Sequence, residues 1–321
     1  MPIVTASTYR PPCFLRNGHL LTIYPHLFRR VEGVAYRRRR IETPDNDFID
    51  LDCCLAGSHK AAVIAHGLEG NSQRPYVLGM VRALNESGWD AVVWNFRGCS
   101  GEPNHKPRSY HSGDTADLDA VVEHVLESRR YSRTVLVGFS LGGNIVLKYL
   151  GERGRDALRT IGAAVVFSVP CDLHGAALEM SRPSNMLYMR RFLTSLHDKI
   201  RVKMTLFPGQ IDDHDYHRIR DFKEFDDRYT GPLHGFAGAM DYWEKSSSRP
   251  FLGSISVPAL LVNALDDPFL APSCYPRDEA LSNPFLTLEM PRAGGHVGFV
   301  SLRSRHYWSE RRCVEFLKEN A

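Results

Sequence analysis

The sequence lacks the patterns that mark disulfide-rich, zinc-stabilised, secreted and membrane-spanning proteins. Its seven cysteines are odd in number and include no C-x-x-C pair, which argues against a disulfide framework and a structural zinc site. Residues 1–10 carry polar side chains where a signal peptide needs an apolar run. No apolar stretch approaches the ~20 residues that span a bilayer. We therefore expect a protein of a reducing compartment, the cytoplasm, with no transmembrane segment.

The sequence also lacks a strong excess of charge of either sign, because its formal net charge is only +3. So small a field does not indicate a nucleic-acid partner. The sequence contains no repeat and no low-complexity segment. These absences predict an ordinary soluble globular protein.

Strand-like and helix-like patterns alternate along most of the 321 residues, which predicts an α/β protein with a mostly parallel sheet flanked by helices. Short apolar runs such as AAVIA and AAVVF indicate buried central strands. The predicted strands cover residues 61–65, 89–96, 134–139, 163–169, 257–264 and 285–290. Ahead of them, residues 36–43 and 48–53 predict an antiparallel pair in which arginines face Asp50 and Asp52.

The alternation stops between Cys171 and about Arg249, where helical segments dominate, residues 185–202 among them. A helical insertion at this point of an alternating chain predicts a lid over the top of the sheet. We expect a single domain over residues 1–321, with an arm to about residue 35, a core at 36–170 and 250–321, and the lid at 171–249.

The stretch TVLVGFSLGGNIVL carries the strongest chemical signal in the chain. It predicts a strand that turns sharply at Ser140 and opens directly into an apolar helix, with Gly138 and Gly142 on either side. This is the pattern of a nucleophile elbow, where a β-carbon at either glycine would collide across the turn. The Leu141 N–H at the helix start would face a developing oxyanion. A bare G-x-S-x-G also arises by chance, but the strand and helix around it favour a catalytic serine.

A second oxyanion donor is predicted in the loop after strand 61–65. There His66 and Gly67 lie directly ahead of a predicted helix, an arrangement typical of an oxyanion-hole loop. Gly67 would let the backbone approach the substrate, and the Leu68 N–H would donate beside that of Leu141. His66 is expected to brace this loop rather than to act as a base.

The loops after the last two strands supply the residue types that a serine nucleophile still lacks. Asp266 and Asp267 follow one strand and His296 follows the next, so the order Ser, Asp, His is that of an α/β-hydrolase. His296 would take the Ser140 proton, and a buried aspartate would fix the imidazole tautomer. We favour Asp267, because the Pro-Phe that follows suits a strand-end turn. Asp266 is the near alternative and Asp172 a distant one.

Other polar residues have simpler interpretations. A solvated turn explains the acidic and histidine residues at 212–217 better than a metal site does. Asp114 is expected to pair with Arg97 and so to pin two loops. Thr22 of the arm could touch a site, but packing is favoured. No metal and no organic cofactor is expected.

Segments along nearly the whole chain match motifs of one family: PPCFLRNGHLLTIYP, HGLEGNSQRPY, WNFRGCSGEPN, YHSGDTADL, GFSLGGNIVLKYLGE, EFDDRYTGPLHGF, NALDDPFLAP and GGHVGF. The chain resembles the YheT branch of the α/β-hydrolase superfamily, which also includes eukaryotic lipid hydrolases and yeast medium-chain ester synthases. The first segment and EFDDRYTGPLHGF are more specific than the elbow. The resemblance implies carboxylic-ester hydrolysis and a triad of Ser140, Asp267 and His296.

The sequence therefore predicts a serine esterase that cleaves short- to medium-chain acyl esters, with a small-molecule ester or lipid as substrate. Two alternatives use the same architecture. An acyltransferase would pass the acyl group to an alcohol before water reaches it. A catalytically idle binding protein would keep only the pocket, although an intact triad counts against it.

Overall fold

A single sheet forms the centre of the protein. The computed structural model describes residues 2–128 and 130–321, and nine strands lie within them. The strands are β1 (Ile3–Val4), β2 (Arg37–Glu42), β3 (Phe48–Cys54), β4 (Lys60–Ala65), β5 (Asp90–Asn95), β6 (Arg133–Phe139), β7 (Ala163–Phe167), β8 (Ala259–Val262) and β9 (Leu286–Glu289).

The strand order confirms the predicted α/β class with a mostly parallel sheet. It runs β1, β9, β8, β7, β6, β4, β5, β3, β2. Only the pairs β2 with β3 and β3 with β5 are antiparallel among the described strands. The carboxyl ends of the parallel strands share one edge, where α/β proteins bind their ligands. The two-residue strand β1 was not predicted, because so short a segment has no readable periodicity.

Helices cover both faces of the sheet and the edge where the parallel strands end. They are α1 (Gly18–Phe28), α2 (Pro75–Glu86), α3 (Thr115–Glu127), α4 (Leu141–Arg153), α5 (Leu173–Met180), α6 (Met186–Leu206), α7 (Phe222–Phe225), α8 (Gly231–Leu233), α9 (Ala239–Ser246), α10 (Arg277–Ser282) and α11 (Trp308–Asn320). A π-helical turn (Asp226–Thr230) joins α7 to α8. No helix in the described ranges is both long and apolar enough to cross a membrane.

Two apolar layers sandwich the sheet. Helices α2 and α11 pack on one face around Ile64, Val137 and Val165. Helices α3 and α4 pack on the opposite face around Val63 and Leu136. Successive strand residues point to opposite faces, so strands buried on both sides must be apolar throughout. This is why the continuous apolar runs located the central strands so well.

The chain between β7 and β8 is helical, and α5 to α9 lie within it. These helices have an apolar core of their own, which includes Met189, Leu193, Phe225 and Tyr229. The long helix α6 begins one residue later than predicted and continues four residues further, to Leu206. The arm also contains a helix that was not predicted, α1, which begins at Gly18 and is capped by the Asn17 side chain.

Arginine–aspartate ion pairs join β2, β3 and the loops next to them. The predicted arginine–aspartate ladder is confirmed, since Arg38 lies opposite Asp52 and Arg40 opposite Asp50. The predicted pairing of Arg97 with Asp114 is wrong. Arg97 instead binds Asp117, one turn further along α3, and also Asp45 and Asp47 of the turn between β2 and β3; Asp114 binds Arg108. Sequence spacing could not separate two aspartates on the same helix face.

Replacing Arg97 with methionine should destabilise the protein strongly. The Arg97 side chain is only 1% exposed, and its loss leaves the buried Asp47 and Asp117 carboxylates without their cation. We expect a loss of about 3–5 kcal/mol in the free energy of unfolding at neutral pH, measured by urea denaturation. The matched variant Arg39→Met, on the exposed edge strand β2, should change it by less than about 0.5 kcal/mol. An equal effect of the two variants would contradict this account.

Candidate active site

Ser140 occupies a strained turn between β6 and α4. Its φ of +52° is in the left-handed region that side chains other than glycine rarely adopt. A β-carbon on Gly138 would lie 2.6 Å from the Gly143 Cα, and one on Gly142 would lie 2.5 Å from the Ala65 carbonyl oxygen. Both positions therefore require glycine, as the elbow pattern predicts. The turn brings the serine against the end of β4.

The structure brings Ser140, His296 and Asp267 into one hydrogen-bonded line. The Ser140 Oγ lies 2.9 Å from the His296 Nε2, and the His296 Nδ1 lies 3.0 and 3.1 Å from the two Asp267 carboxylate oxygens. The Asp267 side chain is fully buried. With Nδ1–H donating to this carboxylate, Nε2 is free to accept the serine proton.

The two alternative aspartates have other partners. Asp266 accepts a hydrogen bond from the Gly295 backbone N–H at 2.9 Å, and so holds the loop that carries His296. Asp172 caps the start of α5 by accepting from the Gly175 N–H. The imidazole of His296 contacts Asp267, so geometry favours the aspartate that the sequence favoured.

Two polar side chains that the sequence analysis did not place in the site hold the histidine loop. The Thr22 hydroxyl of α1 accepts from the His296 backbone N–H at 2.8 Å. The Ser168 hydroxyl, directly after β7, accepts from the Val297 N–H at 2.9 Å. The sequence analysis allowed Thr22 to contact a site but favoured packing. The signal that could have identified Ser168 is its position at the carboxyl end of β7, the strand next to β6.

The loop that carries Gly67 and Leu68 is a tight turn beside the serine. The Gly70 N–H donates to the Gly67 carbonyl at 3.0 Å. A β-carbon on Gly67 would lie 3.2 Å from the Ser140 Cβ, so this backbone passes close to the serine. The Gly67 carbonyl also accepts from the His66 Nδ1–H at 2.8 Å. The C=O and the N–H of a trans peptide point in opposite directions. The Leu68 N–H therefore points away from Gly70 and His66, which both donate to the Gly67 carbonyl.

The backbone N–H groups of Leu68 and Leu141 donate no hydrogen bond within residues 2–128 and 130–321. Both leucines line the same cavity as Ser140 and His296. Unused donors beside a nucleophile are the geometry that an oxyanion hole needs.

His66 supports the loop from beneath and does not line the cavity. Besides its bond to the Gly67 carbonyl, its Nε2 accepts from the Phe96 N–H at 3.1 Å. Burial lowers the pKa of His66 to about 3, so the ring remains neutral near neutral pH. A buried neutral histidine with both nitrogens engaged is a brace, as expected.

A cavity of about 590 Å³ opens above Ser140, which is a size typical of small-ligand sites. At one end its wall is formed by solvent-exposed residues of α1 and α6, namely Ile23, Leu27 and Leu187. At the other end buried residues such as Tyr229 and Trp243 form the wall. The exposed wall residues therefore lie on α1 and α6, and the buried wall is formed by α5, the segment from α7 to α8, and α9.

A family model described as alpha/beta hydrolase fold matches residues 61–301. The chain is 37% identical to YheT of Escherichia coli (strain K12), a protein named as a candidate esterase, over 98% of this chain and 94% of that protein. It is 31% identical to human phospholipase ABHD3, over 93% of this chain and 75% of that protein. A Saccharomyces cerevisiae monoacylglycerol lipase is 30% identical, over 89% of this chain and 64% of that protein.

A solved structure of the Pyrococcus furiosus esterase Pf2001 matches with a TM-score of 0.61 and 19% identity, over 91% of this chain and 96% of that one. At that identity the match shows the fold alone. The family model and the relatives carry the assignment further, and they confirm both the predicted resemblance and the predicted enzyme class. The chain belongs to the α/β-hydrolase family, in the esterase- and lipase-type branch that includes YheT.

Proposed function

We propose that this enzyme cleaves short- to medium-chain carboxylic esters through an acyl-serine intermediate on Ser140. The observation that carries the proposal is the hydrogen-bonded line from the Ser140 Oγ through His296 to the buried Asp267. Nucleophile, base and orienting carboxylate lie in the positions that activate a serine. Each step uses groups of the chain itself, so the proposal calls for no metal and no organic cofactor.

The reaction follows from this geometry in two halves. The Ser140 Oγ attacks the ester carbonyl while His296 Nε2 takes its proton, and Asp267 stabilises the imidazolium. The N–H groups of Leu68 and Leu141 would bind the oxyanion of the tetrahedral intermediate. His296 then gives the proton to the leaving alcohol. Water, activated by the same imidazole, releases the acid and restores Ser140.

The cavity supports an apolar acyl group. Its buried end lies among α5, the helical segment from α7 to α8, and α9, where Ala177, Tyr229 and Trp243 contribute to the wall. Helices α5 to α9 would act as the lid that keeps bulk water from the acyl-enzyme. The names of the relatives, a phospholipase and a monoacylglycerol lipase, are consistent with lipid esters as substrates.

A fluorophosphonate probe should label Ser140, because such probes react with an activated serine. Intact mass should show a single adduct and peptide mapping should place it on Ser140. The variant Ser140→Ala should lose the adduct and about 10⁴-fold or more in kcat on p-nitrophenyl esters while remaining folded.

Retained activity in Ser140→Ala would remove the serine from the mechanism. A well-folded wild-type protein that takes up no probe would favour a binding protein instead. Adding an alcohol acceptor to the same assay separates hydrolysis from acyl transfer. Free acid as the main product supports the proposal, and a new ester would identify a transferase.

Changing Asp267 to asparagine should lower kcat by about 10⁴-fold, because the amide favours the wrong imidazole tautomer. The neighbouring variant Asp266→Asn provides the comparison, since it weakens one backbone contact to Gly295 and leaves the His296 contact in place. Steady-state rates on one ester decide the question. A larger loss of kcat in Asp266→Asn than in Asp267→Asn would show that Asp266, and not Asp267, is the triad acid.

A larger side chain at Ala177 should shorten the accepted acyl chain. Ala177 lies in the buried wall of the cavity. We expect Ala177→Phe to lower kcat/KM by about tenfold or more for the longest ester that the wild type accepts, and to leave the acetate nearly unaffected. Leu178→Phe adds bulk to a neighbouring, 60% exposed residue outside the cavity. An unchanged chain-length profile in Ala177→Phe would place the acyl group elsewhere.

A further inference from the structure

Glu69 occupies a backbone position that normally favours glycine. The hydrogen bond from the Gly70 N–H to the Gly67 carbonyl closes a four-residue turn, in which Glu69 is the third residue and has a φ of +53°. A positive φ at the third position is the pattern of a type II turn, where glycine is strongly preferred. A glutamate here is strained, and such strain persists only where the surroundings hold the residue.

The surroundings hold Glu69 through its carboxylate, whose side chain is 7% exposed. On the side of the sheet, the Tyr110 hydroxyl accepts from the Glu69 backbone N–H at 2.9 Å and donates to Oε1 at 2.7 Å. On the side of α6, the Ser195 hydroxyl donates to Oε2 at 2.7 Å, and the Lys199 Nζ lies 2.8 Å from Oε1. One carboxylate therefore joins the turn to the helix above it.

The contact with α6 is specific and charged. Ser195 and Lys199 are four residues apart on α6, so both face the turn. Burial raises the pKa of Glu69, but the Lys199 ammonium and the hydrogen bonds more than offset it and hold that pKa below its ordinary value. Glu69 is thus an anion at neutral pH. The Glu69 carboxylate is buried and the Lys199 side chain is 24% exposed, so water screens their attraction less than it would at the surface.

This carboxylate is the hydrogen-bonded link between α6 and the turn. Within the described residues, the hydrogen bonds from α6 to residues 67–70 end on the Glu69 side chain. Glu69 directly follows Leu68, whose N–H direction depends on the turn. Helix α6 also contributes Leu187, Phe192 and Leu196 to the cavity wall. The helix that lines the cavity and the loop that would bind the oxyanion are therefore connected by hydrogen bonds.

We propose that Glu69 is a positioning residue through which α6 sets the turn at residues 67–70, so that the Leu68 N–H is aimed at the reacting carbonyl only while α6 is docked. The inference rests on the proposed esterase function and adds a coupling to it. A movement of α6 that widens the opening beside α1 would remove Ser195 and Lys199 from the carboxylate and let the strained turn relax. Closure of α6 would then reassemble the oxyanion site, which ties acyl transfer to a covered substrate.

The test compares variants on both sides of the contact. Lys199→Met should lower kcat on a p-nitrophenyl ester and the rate of fluorophosphonate labelling of Ser140 by about 10- to 100-fold, because a misplaced oxyanion donor costs that much. KM should change little, because the groups affected act on the transition state. Ser195→Ala, which removes one hydroxyl, should give a smaller loss of the same kind and serves if Lys199→Met does not fold.

Glu69→Gly distinguishes the effect of the carboxylate from the effect of the strained backbone. It supplies the residue that the turn prefers, so it removes strain while it deletes the link. We expect a loss of kcat comparable to that of Lys199→Met. In the double variant Glu69→Gly with Lys199→Met, the second change should cost nothing further, because Lys199 acts through Glu69. Thr194→Ala, on the exposed side of α6, is the matched control and should behave as the wild type.

Each outcome decides one point, with unfolding midpoints measured for every variant. Wild-type kcat in a folded Lys199→Met or Glu69→Gly would overturn the coupling and leave the esterase proposal intact. Losses that add in the double variant would also overturn it, because the two residues would then act independently. Absence of a Ser140 adduct in the wild type would overturn the proposed function itself.

Discussion

The close approach of two backbone segments, the elbow after β6 and the end of β4, is the constraint on which the site depends. Gly142 packs against the Ala65 carbonyl with no space for a β-carbon, and Gly67 comes within reach of the Ser140 side chain. These contacts exist because β4 and β6 are adjacent and parallel, with Ala65 opposite Gly138. The distance between the nucleophile and the candidate oxyanion donors is thus set by sheet geometry and not by flexible side chains.

The histidine depends on a second layer of polar contacts. Its loop is held by Thr22 from the arm, by Ser168 after β7 and by Asp266 from the turn after β8. Three separate parts of the chain thereby fix one backbone, which leaves the imidazole free to bridge Ser140 and Asp267. Hydrogen bonds from three directions restrict this loop to one geometry. The arm is consequently part of the site and not a covering segment.

The helices after β7 line the cavity and also contact the loop beside Ser140. Lys199 and Ser195 on α6 reach the Glu69 carboxylate, which lies one residue from a candidate oxyanion donor. Because Glu69 pairs with two residues of α6, the position of the turn depends on the position of that helix. The same helix contributes apolar residues to the cavity wall. The wall of the cavity and the position of the turn at residues 67–70 therefore both depend on α6. In the coupling proposed above, these contacts would make reactivity depend on a covered substrate.

Local patterns determined much of this protein. Continuous apolar runs fixed the central strands, and the glycines around Ser140 identified the elbow, because both signals arise from residues that are neighbours in the chain. The sequence also named Ser140, Asp267 and His296, the three side chains that meet. It could not place Thr22 in the site or foresee α1, whose helix includes a proline and an aromatic-rich segment.

Only the tertiary structure decided the choices between residues with equal local signals. Asp266 and Asp267 are adjacent, and which carboxylate meets His296 depends on how two loops pack across 29 residues. Asp114 and Asp117 share one helix face, and the structure pairs Arg97 with the second of them. Glu69 meets Ser195 across 126 residues of chain. Contacts of that range leave no periodic trace in a sequence, because they arise from the packing of elements that have already formed.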